Sequence, residues 1–403
     1  MKEQIEELER WAADVVFGRA RGFRAALMRF LMLALSGLFR IAVWLRLWLY
    51  RSGWRPQRHL GVRVVSVGNL TMGGTGKTPV VELLARSLRD RGRQVAILSR
   101  GYKSRRLERP QRWRDAANRP IPSWEMPKVV SSGTELLLDS VHAGDEPYML
   151  AKNLDGVAVL AGKNRITSGL FAVKHLAADT LLLDDGMQHL DLARSSEIVL
   201  VDATSPFGNG ALLPRGTLRE PPAHLARATH ILITRCDGSP NEDLIHRLRR
   251  YNDTAAVIEC AHSPVHVENV FTGERRPLDF LRDQWVGAIS AIAMPEAFEE
   301  SLRKLGARVE ITRRFADHHR FQRKDIEQFM QRCVERDMQL ILTTEKDAVR
   351  FPRPRSIDVP VFFLRIEVRI LRGREAWDSL VDGLCRVDPA EGGPLRHLHA
   401  RAG

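Results

Sequence analysis

The chain has 403 residues, of which 44% are hydrophobic and 28% are charged. It is therefore long enough for two domains with a substantial core, and its composition argues against a disordered chain. The formal net charge of +13 predicts attraction to polyanions, which include nucleic acids, anionic membrane surfaces and phosphorylated small molecules. The four cysteines lie far apart without a C-x-x-C pair, which disfavours a zinc site and favours reduced thiols in a cytosolic setting.

The first predicted element is a helix over Arg24–Tyr50. Its apolar residues recur at alternating steps of four and three, so they form one stripe. The stripe consists of Leu27, Leu31, Ala34, Leu38, Ile41, Leu45 and Trp48. The longest uncharged run, Phe30–Phe39, is much shorter than the ~20 residues that cross a bilayer, so a transmembrane helix is not expected. A signal peptide is not expected either, because the chain opens with Glu3, Glu6, Glu7 and Glu9.

This helix has two interpretations. It either packs on the core of the protein or lies in the headgroup plane of a membrane. Arginines flank the apolar stripe, and Trp44, Trp48 and Trp54 lie in or just after the end of the helix. Because interfacial helices combine arginine with tryptophan in this way, the sequence favours association with a membrane surface.

A glycine-rich turn between a predicted strand and a predicted helix is the central signal of the sequence. The apolar residues of 62–67 predict a buried strand, and the pattern that follows the turn predicts a helix beginning near Thr78. The turn reads Thr71-Met72-Gly73-Gly74-Thr75-Gly76-Lys77-Thr78. It matches the phosphate-binding pattern G-x-x-x-x-G-K-[ST], except that a threonine replaces the first glycine.

An ordinary strand-to-helix turn is the alternative interpretation of this glycine cluster. The preceding strand and the following helix supply the context that the motif requires, so the sequence favours phosphate binding. Backbone N–H groups and the helix N-terminus would then face the phosphates. Lys77 is expected to reach the β- and γ-phosphates of a nucleotide, and the Thr78 hydroxyl is expected to bind Mg²⁺.

Strands and helices alternate through the rest of the chain, first over 94–259 and then over 286–385. This pattern predicts an α/β fold in which a mostly parallel, P-loop NTPase-like sheet has helices on both faces. We predict an N-terminal amphipathic helical segment at residues 1–58, a P-loop domain at 59–261, a hinge at 262–285 and a smaller C-terminal α/β domain at 286–403. The proline-containing insert Ser104–Lys128 predicts a mobile loop.

Two acidic motifs are candidates for chemistry. Asp184 and Asp185 end an apolar strand, which is where P-loop enzymes hold magnesium. Asp145 lies in Gly144-Asp145-Glu146-Pro147 at the start of a predicted helix. It either caps that helix or deprotonates an attacking hydroxyl, and the pattern alone leaves both interpretations open.

Two further segments have a structural and a phosphate-binding interpretation. Pro206–Pro221 contains Arg215 and Arg219 and is either a long surface loop or a loop that clamps a phosphate. Thr343–Asp347 either offers Lys346 to a phosphate or caps the next helix.

Adjacent histidines occur in the segment Phe315–Phe321, where His318 and His319 follow Asp317. They are either structural or take part in acid–base chemistry or metal binding. Zinc is disfavoured because no third and fourth ligand lie nearby in the sequence.

In combination, these motifs resemble the tetraacyldisaccharide 4'-kinase family, the lipid A 4'-kinases. The blocks occur in that family's order over 62–347, and their combination is more specific than any single block. The threonine at the first P-loop position is similar to the family's own small hydroxyl residue. The blocks are the P-loop, Ser99-Arg100-Gly101-Tyr102, Gly144–Pro147, Asp184–His189, Leu213–Gly216 with Leu218–Pro221, Asp317–His319 and Thr343–Asp347.

The resemblance implies transfer of the γ-phosphoryl group of ATP, with Mg²⁺, to the 4'-hydroxyl of a tetraacyldisaccharide 1-phosphate in lipid A biosynthesis. It implies a peripheral, monotopic location at the cytoplasmic face of the bacterial inner membrane. The implied partners are the lipid A precursor and the membrane surface, and no nucleic acid is expected.

The resemblance also implies roles for individual residues. The P-loop would bind the nucleotide, and Thr78, Asp184 and Asp185 would serve the metal. Asp145, supported by His318 from beyond the hinge, would activate the sugar hydroxyl. The further active-site positions that match are Gln188, His189, Arg219 and Glu220.

Two other functions remain open. A P-loop GTPase or metallochaperone would need a guanine-reading motif, which Thr234-Arg235-Cys236-Asp237 imitates poorly. A basic nucleic-acid-binding ATPase fits the net charge, but such proteins interleave aromatic and basic residues, and the sequence lacks such a patch.

Overall fold

The computed structural model describes residues 11, 14–16, 18–109, 111–115, 118–123, 126–317 and 319–386. The predicted helices and strands lie close to their expected positions in this part of the chain. The predictions at Glu3, Glu6, Glu7, Glu9 and His318 fall outside the described residues. In chain order the elements are α1 (Phe23–Arg51), β1 (Arg63–Asn69), α2 (Lys77–Arg89), β2 (Val95–Ser99), β3 (Lys128–Ser131), α3 (Ser140–Ala143), α4 (Asp145–Asn153), β4 (Ala158–Ala161), α5 (Arg165–His175), β5 (Thr180–Asp184), β6 (Ser196–Asp202), β7 (His230–Thr234), α6 (Glu242–Arg249), β8 (Ala256–Asn269), β9 (Arg275–Pro277), β10 (Trp285–Ser290), α7 (Pro295–Lys304), β11 (Arg308–Arg314), α8 (Arg323–Glu335), β12 (Leu340–Thr344), α9 (Glu345–Ala348), β13 (Val361–Arg372) and α10 (Arg374–Cys385).

The chain divides into two compact units. The first unit consists of residues 1–77, 180–261 and 370–403, and the second consists of residues 78–179 and 262–369. Strands β8 and β13 each have residues in both units. The predicted division at residues 58, 261 and 285 stays a prediction.

The first unit is built on a parallel sheet. β1 pairs with β5 on one side and with β6 on the other, β7 pairs with β6, and the first half of β8 pairs with β7. The residues of β5 are all buried, as is typical of parallel strands covered on both faces. Val67 of β1 is opposite Asp184 of β5. The carboxyl ends of these two strands therefore lie side by side, which is where ligands of parallel sheets bind.

The second unit contains two groups of paired strands. In one group β4 pairs in parallel with β2 and antiparallel with β3. In the other group β10 pairs in parallel with β11 and β12, and β12 pairs in parallel with β13. The predicted α/β class with mostly parallel strands is confirmed. β3 and β9, which is antiparallel to β8, are short strands that the sequence does not predict.

Strand β8 differs from its prediction. The sequence predicts a strand at Ala255–Glu259 and a boundary after it, whereas β8 is a continuous strand of 14 residues. The polar and proline residues of 262–264 interrupt the apolar pattern, and they are only half buried in the strand. A half-buried stretch needs no apolar signal, so the pattern could not indicate that the strand continues.

Helix α1 has 29 residues, and its buried positions are Ala25, Ser36, Leu47 and Tyr50. Leu33 and Leu35 lie outside the predicted stripe and are 57% and 53% exposed, so the exposed apolar surface is wider than one stripe. By length and composition alone, this helix could cross a membrane. The uncharged run Phe30–Phe39 is shorter than the mostly apolar part of the helix, because isolated arginines interrupt a longer apolar stretch.

Candidate functional site

The P-loop, defined as residues 71–78, follows the carboxyl end of β1. Asn69 ends that strand and is fully buried, and its side-chain Oδ1 accepts a hydrogen bond from Lys77 Nζ at 3.1 Å. A Cβ atom at Gly68 would lie 2.5 Å from the Cβ of Met187. The strand and the loop after β5 therefore approach each other too closely for any larger residue.

The two predicted acids lie at the end of β5. Asp184 is the last residue of the strand and is 3% exposed. Lys77 Nζ lies 3.4 Å from Asp185 Oδ1, and Arg219 donates to both carboxylate oxygens of Asp185 at 2.8 Å. Burial raises the pKa of Asp185, but the hydrogen bonds from Arg219 and the charge of Lys77 outweigh it and hold the pKa well below its usual range. Asp185 is therefore an ionised carboxylate between two cations.

The segment that carries Arg219 is joined to the P-loop by backbone hydrogen bonds. Met72 N donates to the Thr217 carbonyl oxygen at 2.6 Å, and Arg219 N donates to the Leu70 carbonyl oxygen at 2.7 Å. The Arg219 guanidinium also donates to the side-chain oxygen of Asn69. This segment is an ordered neighbour of the P-loop rather than a detached surface loop.

The other predicted residues of this region have supporting contacts. Gln188 Nε2 donates to the Asn69 carbonyl oxygen at 3.2 Å and to Glu220 Oε1 at 3.0 Å. Glu220 is 4% exposed and also pairs with Arg227 at 2.9 Å. The His189 carbonyl oxygen accepts a hydrogen bond from Arg194. The structure brings Lys77, Asp185, Gln188, Arg219 and Glu220 together around Asn69.

Helix α1 is bound to the same region through polar groups. The Ser36 hydroxyl donates to the Leu212 carbonyl oxygen at 2.9 Å, and it accepts a hydrogen bond from Arg215 N at 3.1 Å. Arg46 Nη2 donates to the Gln188 carbonyl oxygen at 2.7 Å. The apolar helix is thus connected to both segments that surround Asn69.

Two functional candidates are missing from the predicted site. Asn69 accepts hydrogen bonds from Lys77 and Arg219, and its only sequence signal is its place at the end of the strand. Arg235, which follows β7, donates to Asp202 Oδ2 at 2.8 Å and to the carbonyl oxygen of Gly74 in the P-loop. The signal that could have found Arg235 is its position directly after a buried parallel strand.

In the second unit, Asp145 is the first residue of α4. The N-cap residue is Gly144, which has a φ of 93° and no side chain, so the interpretation of Asp145 as the helix cap is wrong. Arg350 Nε lies 3.6 Å from Asp145 Oδ2, and the two side chains are 3% and 12% exposed. Asp145 is therefore a mostly buried acid with a buried arginine beside it.

In the histidine segment Phe315–Phe321, His318 lies outside the described residues, whereas its neighbours on both sides are described. His319 stacks on Phe315 with a centroid distance of 4.4 Å, and its Nε2 lies 3.3 Å from Asp325 Oδ2. These contacts give His319 a structural role, whereas the predicted role of His318 stays a prediction.

The segment Thr343–Asp347 is better explained by its capping interpretation. The Thr344 hydroxyl accepts a hydrogen bond from Asp347 N at 3.2 Å, so Thr344 caps α9. Lys346 Nζ lies 3.8 Å from Glu146 Oε1. Lys346 therefore has a carboxylate partner within the second unit.

Oxygen donors rather than nitrogen or sulfur ligands characterise the acidic end of β5. Among the residues that the structure describes, no group of three or more His, Cys, Asp and Glu side chains could hold a metal ion. The carboxylates of Asp184 and Asp185 belong to the ligand class that Mg²⁺ prefers, and Mg²⁺ usually takes only one or two of them together with substrate phosphates.

Comparison with known proteins gives consistent results. The family model described as tetraacyldisaccharide-1-P 4'-kinase matches residues 28–386. A tetraacyldisaccharide 4'-kinase from Anaeromyxobacter sp. (strain Fw109-5) is 41% identical over 374 residues, which cover 92% of this chain and 95% of that protein. Another from Halothermothrix orenii is 34% identical over 382 residues, covering 91% and 95%. The crystal structure of LpxK from Aquifex aeolicus in complex with ATP has a TM-score of 0.68 and 28% identity, covering 89% of this chain and 100% of that one. The chain belongs to the tetraacyldisaccharide-1-P 4'-kinase family.

Proposed function

We propose that this protein transfers the γ-phosphoryl group of ATP to the 4'-hydroxyl of a tetraacyldisaccharide 1-phosphate. Besides family membership, the observation that supports the proposal is the contact of Lys77 and Arg219 with the single carboxylate of Asp185 beside the P-loop. Phosphate oxygens bind lysine and arginine as carboxylates do. The two cations are therefore suited to receive the terminal phosphates of a nucleotide.

Phosphoryl transfer requires positioning and charge neutralisation more than covalent chemistry. The backbone N–H groups of the P-loop would bind the phosphates, while Lys77 would neutralise charge on them. Arg219 would hold Asp185 and neutralise further negative charge. Asn69 would keep both cations in place, because its side-chain oxygen accepts a hydrogen bond from each of them.

Mg²⁺ is the proposed cofactor, and it would neutralise phosphate charge when bound. Its candidate ligands are the Thr78 hydroxyl and the carboxylates of Asp184 and Asp185.

Asp145 is the proposed base that accepts the proton of the sugar hydroxyl, with His318 as its supporting residue. A carboxylate suits this role when it lies within hydrogen-bond reach of the hydroxyl in the substrate complex. Its place at the start of α4, after a glycine N-cap, leaves the carboxylate at the end of the helix rather than along its side.

The test is the appearance of a mass shift of one phosphate on a tetraacyldisaccharide 1-phosphate after incubation with Mg²⁺ and ATP. Asp145→Asn should lower turnover about 10²–10⁴-fold while the affinity for ATP is kept. Asp155→Asn, at an exposed position after the same helix, is the matched control and should keep its turnover. Wild-type turnover of Asp145→Asn would remove Asp145 as the base, and preference for GTP over ATP would favour the GTPase alternative.

We further propose that α1 lies in the headgroup plane of the cytoplasmic face of the inner membrane. Eleven of its large apolar side chains are 43–82% exposed, and Trp48 contacts both Trp44 and Trp54, with ring centroids 6.4 and 6.3 Å apart. Aromatic clusters of this kind anchor proteins at the membrane interface. The exposed apolar residues of α1 are Phe23, Leu27, Phe30, Leu31, Leu33, Leu35, Leu38, Ile41, Trp44, Leu45 and Trp48.

Flotation with phospholipid vesicles tests this location. Leu38→Asn combined with Ile41→Asn should reduce the bound fraction at least tenfold, because each buried apolar side chain contributes roughly 1.5–3 kcal/mol. Ile357→Asn, at an exposed apolar position far along the chain, is the control and should bind like the wild type. Release of the wild-type protein by salt alone would contradict apolar insertion, and protection of α1 from proteases on both sides of the vesicle would indicate a spanning helix instead.

A further inference from the structure

We propose that the segment Thr344–Arg350 is a clamp that fixes both ends of helix α4 and so positions the Asp145 carboxylate. The proposal rests on the proposed function, because it assigns the clamp a purpose through Asp145. The segment includes residues 344–347 of the Thr343–Asp347 block, for which the sequence predicts either phosphate binding or helix capping. Its contacts give it a third role within the second unit.

At the C-terminal end of α4, the clamp acts through Glu345. Asn153, the last residue of α4, donates from its Nδ2 to Glu345 Oε1 at 2.6 Å. Glu345 is itself held by Arg365, whose Nη1 donates to both carboxylate oxygens at 2.7 and 2.8 Å. Arg365 also bonds to Glu82 of α2. This end of α4 is therefore connected to a buried set of charges rather than to solvent.

At the N-terminal end of α4, the clamp acts through two basic residues spaced four positions apart. Arg350 Nε lies 3.6 Å from Asp145 Oδ2, and Lys346 Nζ lies 3.8 Å from Glu146 Oε1. The second pair is 27% and 40% exposed, so it contributes little. The Arg350 contact is buried, and it is the one that orients Asp145.

Arg350 has a fixed position because Asp347 holds it from the other side. Arg350 Nη2 bonds to Asp347 Oδ1, and the other oxygen, Oδ2, accepts hydrogen bonds from Ala291 N at 3.0 Å and the Thr344 hydroxyl at 2.7 Å. The Asp347 side chain is fully buried. The guanidinium is thus bonded to Asp347 on one side and lies 3.6 Å from the Asp145 carboxylate on the other, which lets a fixed arginine orient that carboxylate.

Arg350 also connects Asp145 to the histidine segment. Its Nη1 donates to the His319 carbonyl oxygen at 3.0 Å, one residue after His318. A single guanidinium therefore contacts the proposed base and the backbone next to its proposed supporting residue. Arg350 and Glu345 are positioning residues, since they act on the reaction only through Asp145.

The first test uses Asn153→Ala and Arg350→Lys in the phosphate-transfer assay. Misplacing a reacting group by about 1 Å can cost on the order of 10²-fold in rate, so we expect kcat to fall at least tenfold in both variants. The KM for ATP should stay within about twofold, because the contacts of the clamp involve neither Lys77 nor Asp185. Asn153→Ala is the milder change, since alanine favours a helix and the arginine cluster stays intact.

Matched controls are Gln111→Ala and Arg314→Lys. Gln111 makes hydrogen bonds with the backbone of β3 at 2.8 Å, and Arg314 pairs with Glu299 at 2.8 Å. Both lie in the second unit and neither contacts α4 in these bonds. Both control variants should keep the wild-type kcat. That result would show that replacing a hydrogen-bonding amide or arginine elsewhere in this unit does not by itself slow the reaction.

A second test asks whether the clamp acts through Asp145. Asp145→Glu keeps a carboxylate but moves it by one methylene, so a residual rate can be measured. Adding Asn153→Ala to Asp145→Glu should cost less than twofold further, because residues that act as a unit are non-additive. If Asn153→Ala lowered the kcat of Asp145→Glu by the same factor as it lowers the wild-type kcat, the proposal would be overturned. A wild-type kcat in Asn153→Ala and Arg350→Lys would also overturn it. So would a loss of kcat that equals the fraction of unfolded protein. Wild-type turnover of Asp145→Asn would instead overturn the proposed function.

Discussion

Each unit contains a cluster of cations around carboxylates, and the two clusters differ in their access to water. At the P-loop, the side chains of Lys77 and Asp185 are 16% and 34% exposed. In the second unit, those of Arg350 and Asp347 are 3% and 0% exposed. The same chemical groups therefore form an accessible cluster in one unit and a sealed cluster in the other.

This difference in exposure suits the two clusters to different roles, one to binding a ligand and the other to holding the structure together. An ion pair with access to water contributes little to stability, so a ligand can replace one partner at small cost. A buried pair leaves an uncompensated charge when one partner is removed, which typically costs 3–5 kcal/mol. The P-loop cluster is thus suited to exchange a carboxylate for phosphate, whereas the buried cluster is suited to hold helices in place.

The largest expected effect is on activity at the exposed cluster. Lys77→Ala should lower kcat/KM about 10²–10³-fold or more, because it removes a preorganised charge from the developing negative charge. Its free energy of unfolding should change little, since the lysine pair is accessible. Steady-state kinetics and urea unfolding measure the two quantities, and Lys304→Ala, 74% exposed at the side chain, is the control. If Lys77→Ala lost much of its stability but little of its activity, the accessible cluster would be structural, and the contrast between the two clusters would be wrong.

The next effect is on stability at the buried cluster of the second unit, which also includes Arg365 with Glu82 and Glu345. Arg365→Met should lower the free energy of unfolding by about 3–5 kcal/mol, because Glu82 and Glu345 would lose the buried guanidinium that both carboxylates contact. Burial raises the pKa of Glu82, and the charge of Arg365 opposes this, so the loss should shrink at acid pH as the carboxylates become protonated. Chemical denaturation of the variant and the wild type at neutral and at acid pH measures this loss of unfolding free energy.

The control for this change is Arg374→Met, at a side chain that is 74% exposed and pairs with Asp378. It should change the free energy of unfolding by less than about 0.5 kcal/mol. An Arg365→Met protein as stable as the control would show that the buried cluster is not a scaffold.

The smallest effect is the pH dependence of the exposed cluster. The folded-state pKa of Asp185 is lowered, so its pairing stabilises the protein above the usual value of 3.8 and the contribution is lost as the pH falls toward the folded value. Arg219→Gln should therefore cost about 1 kcal/mol or less at neutral pH, and the difference from wild type should vanish at strongly acid pH. Urea unfolding at both conditions measures it. If the difference in the free energy of unfolding between Arg219→Gln and the wild type grew as the pH fell, the pairing of Arg219 with an ionised Asp185 would be contradicted.

The elements that surround the P-loop are largely predictable from the sequence. The apolar run of β1, the glycine-rich turn and the acids after β5 are each continuous in the chain, so local pattern is enough to find them. The helices and strands follow their periodicity for the same reason. Strand β8 is one exception, because its half-buried middle contains Pro264 and carries no apolar pattern. The short strands β3 and β9 are two others.

The contacts that organise the two clusters are not predictable in this way. Asn69 and Arg219 are 150 residues apart, and Arg365 and Glu82 are 283 residues apart. Pairing between such distant residues produces no periodic pattern in the sequence. The local sequence around a charged residue in a loop or at a strand end is the same whether that residue is buried or solvated. Arg350 and Asn69 consequently have no distinctive local signal.

The sequence by itself determined where the glycine-rich turn, the strands and the helices lie, because a turn of eight consecutive residues and the spacing of apolar side chains are local properties. Only the tertiary structure decided which charges meet and how deeply each pair is buried. That distinction separates Lys77, whose partner is accessible, from Arg350, which is held between Asp347 and Asp145. Burial depends on how distant segments pack together, and a linear pattern does not contain that information.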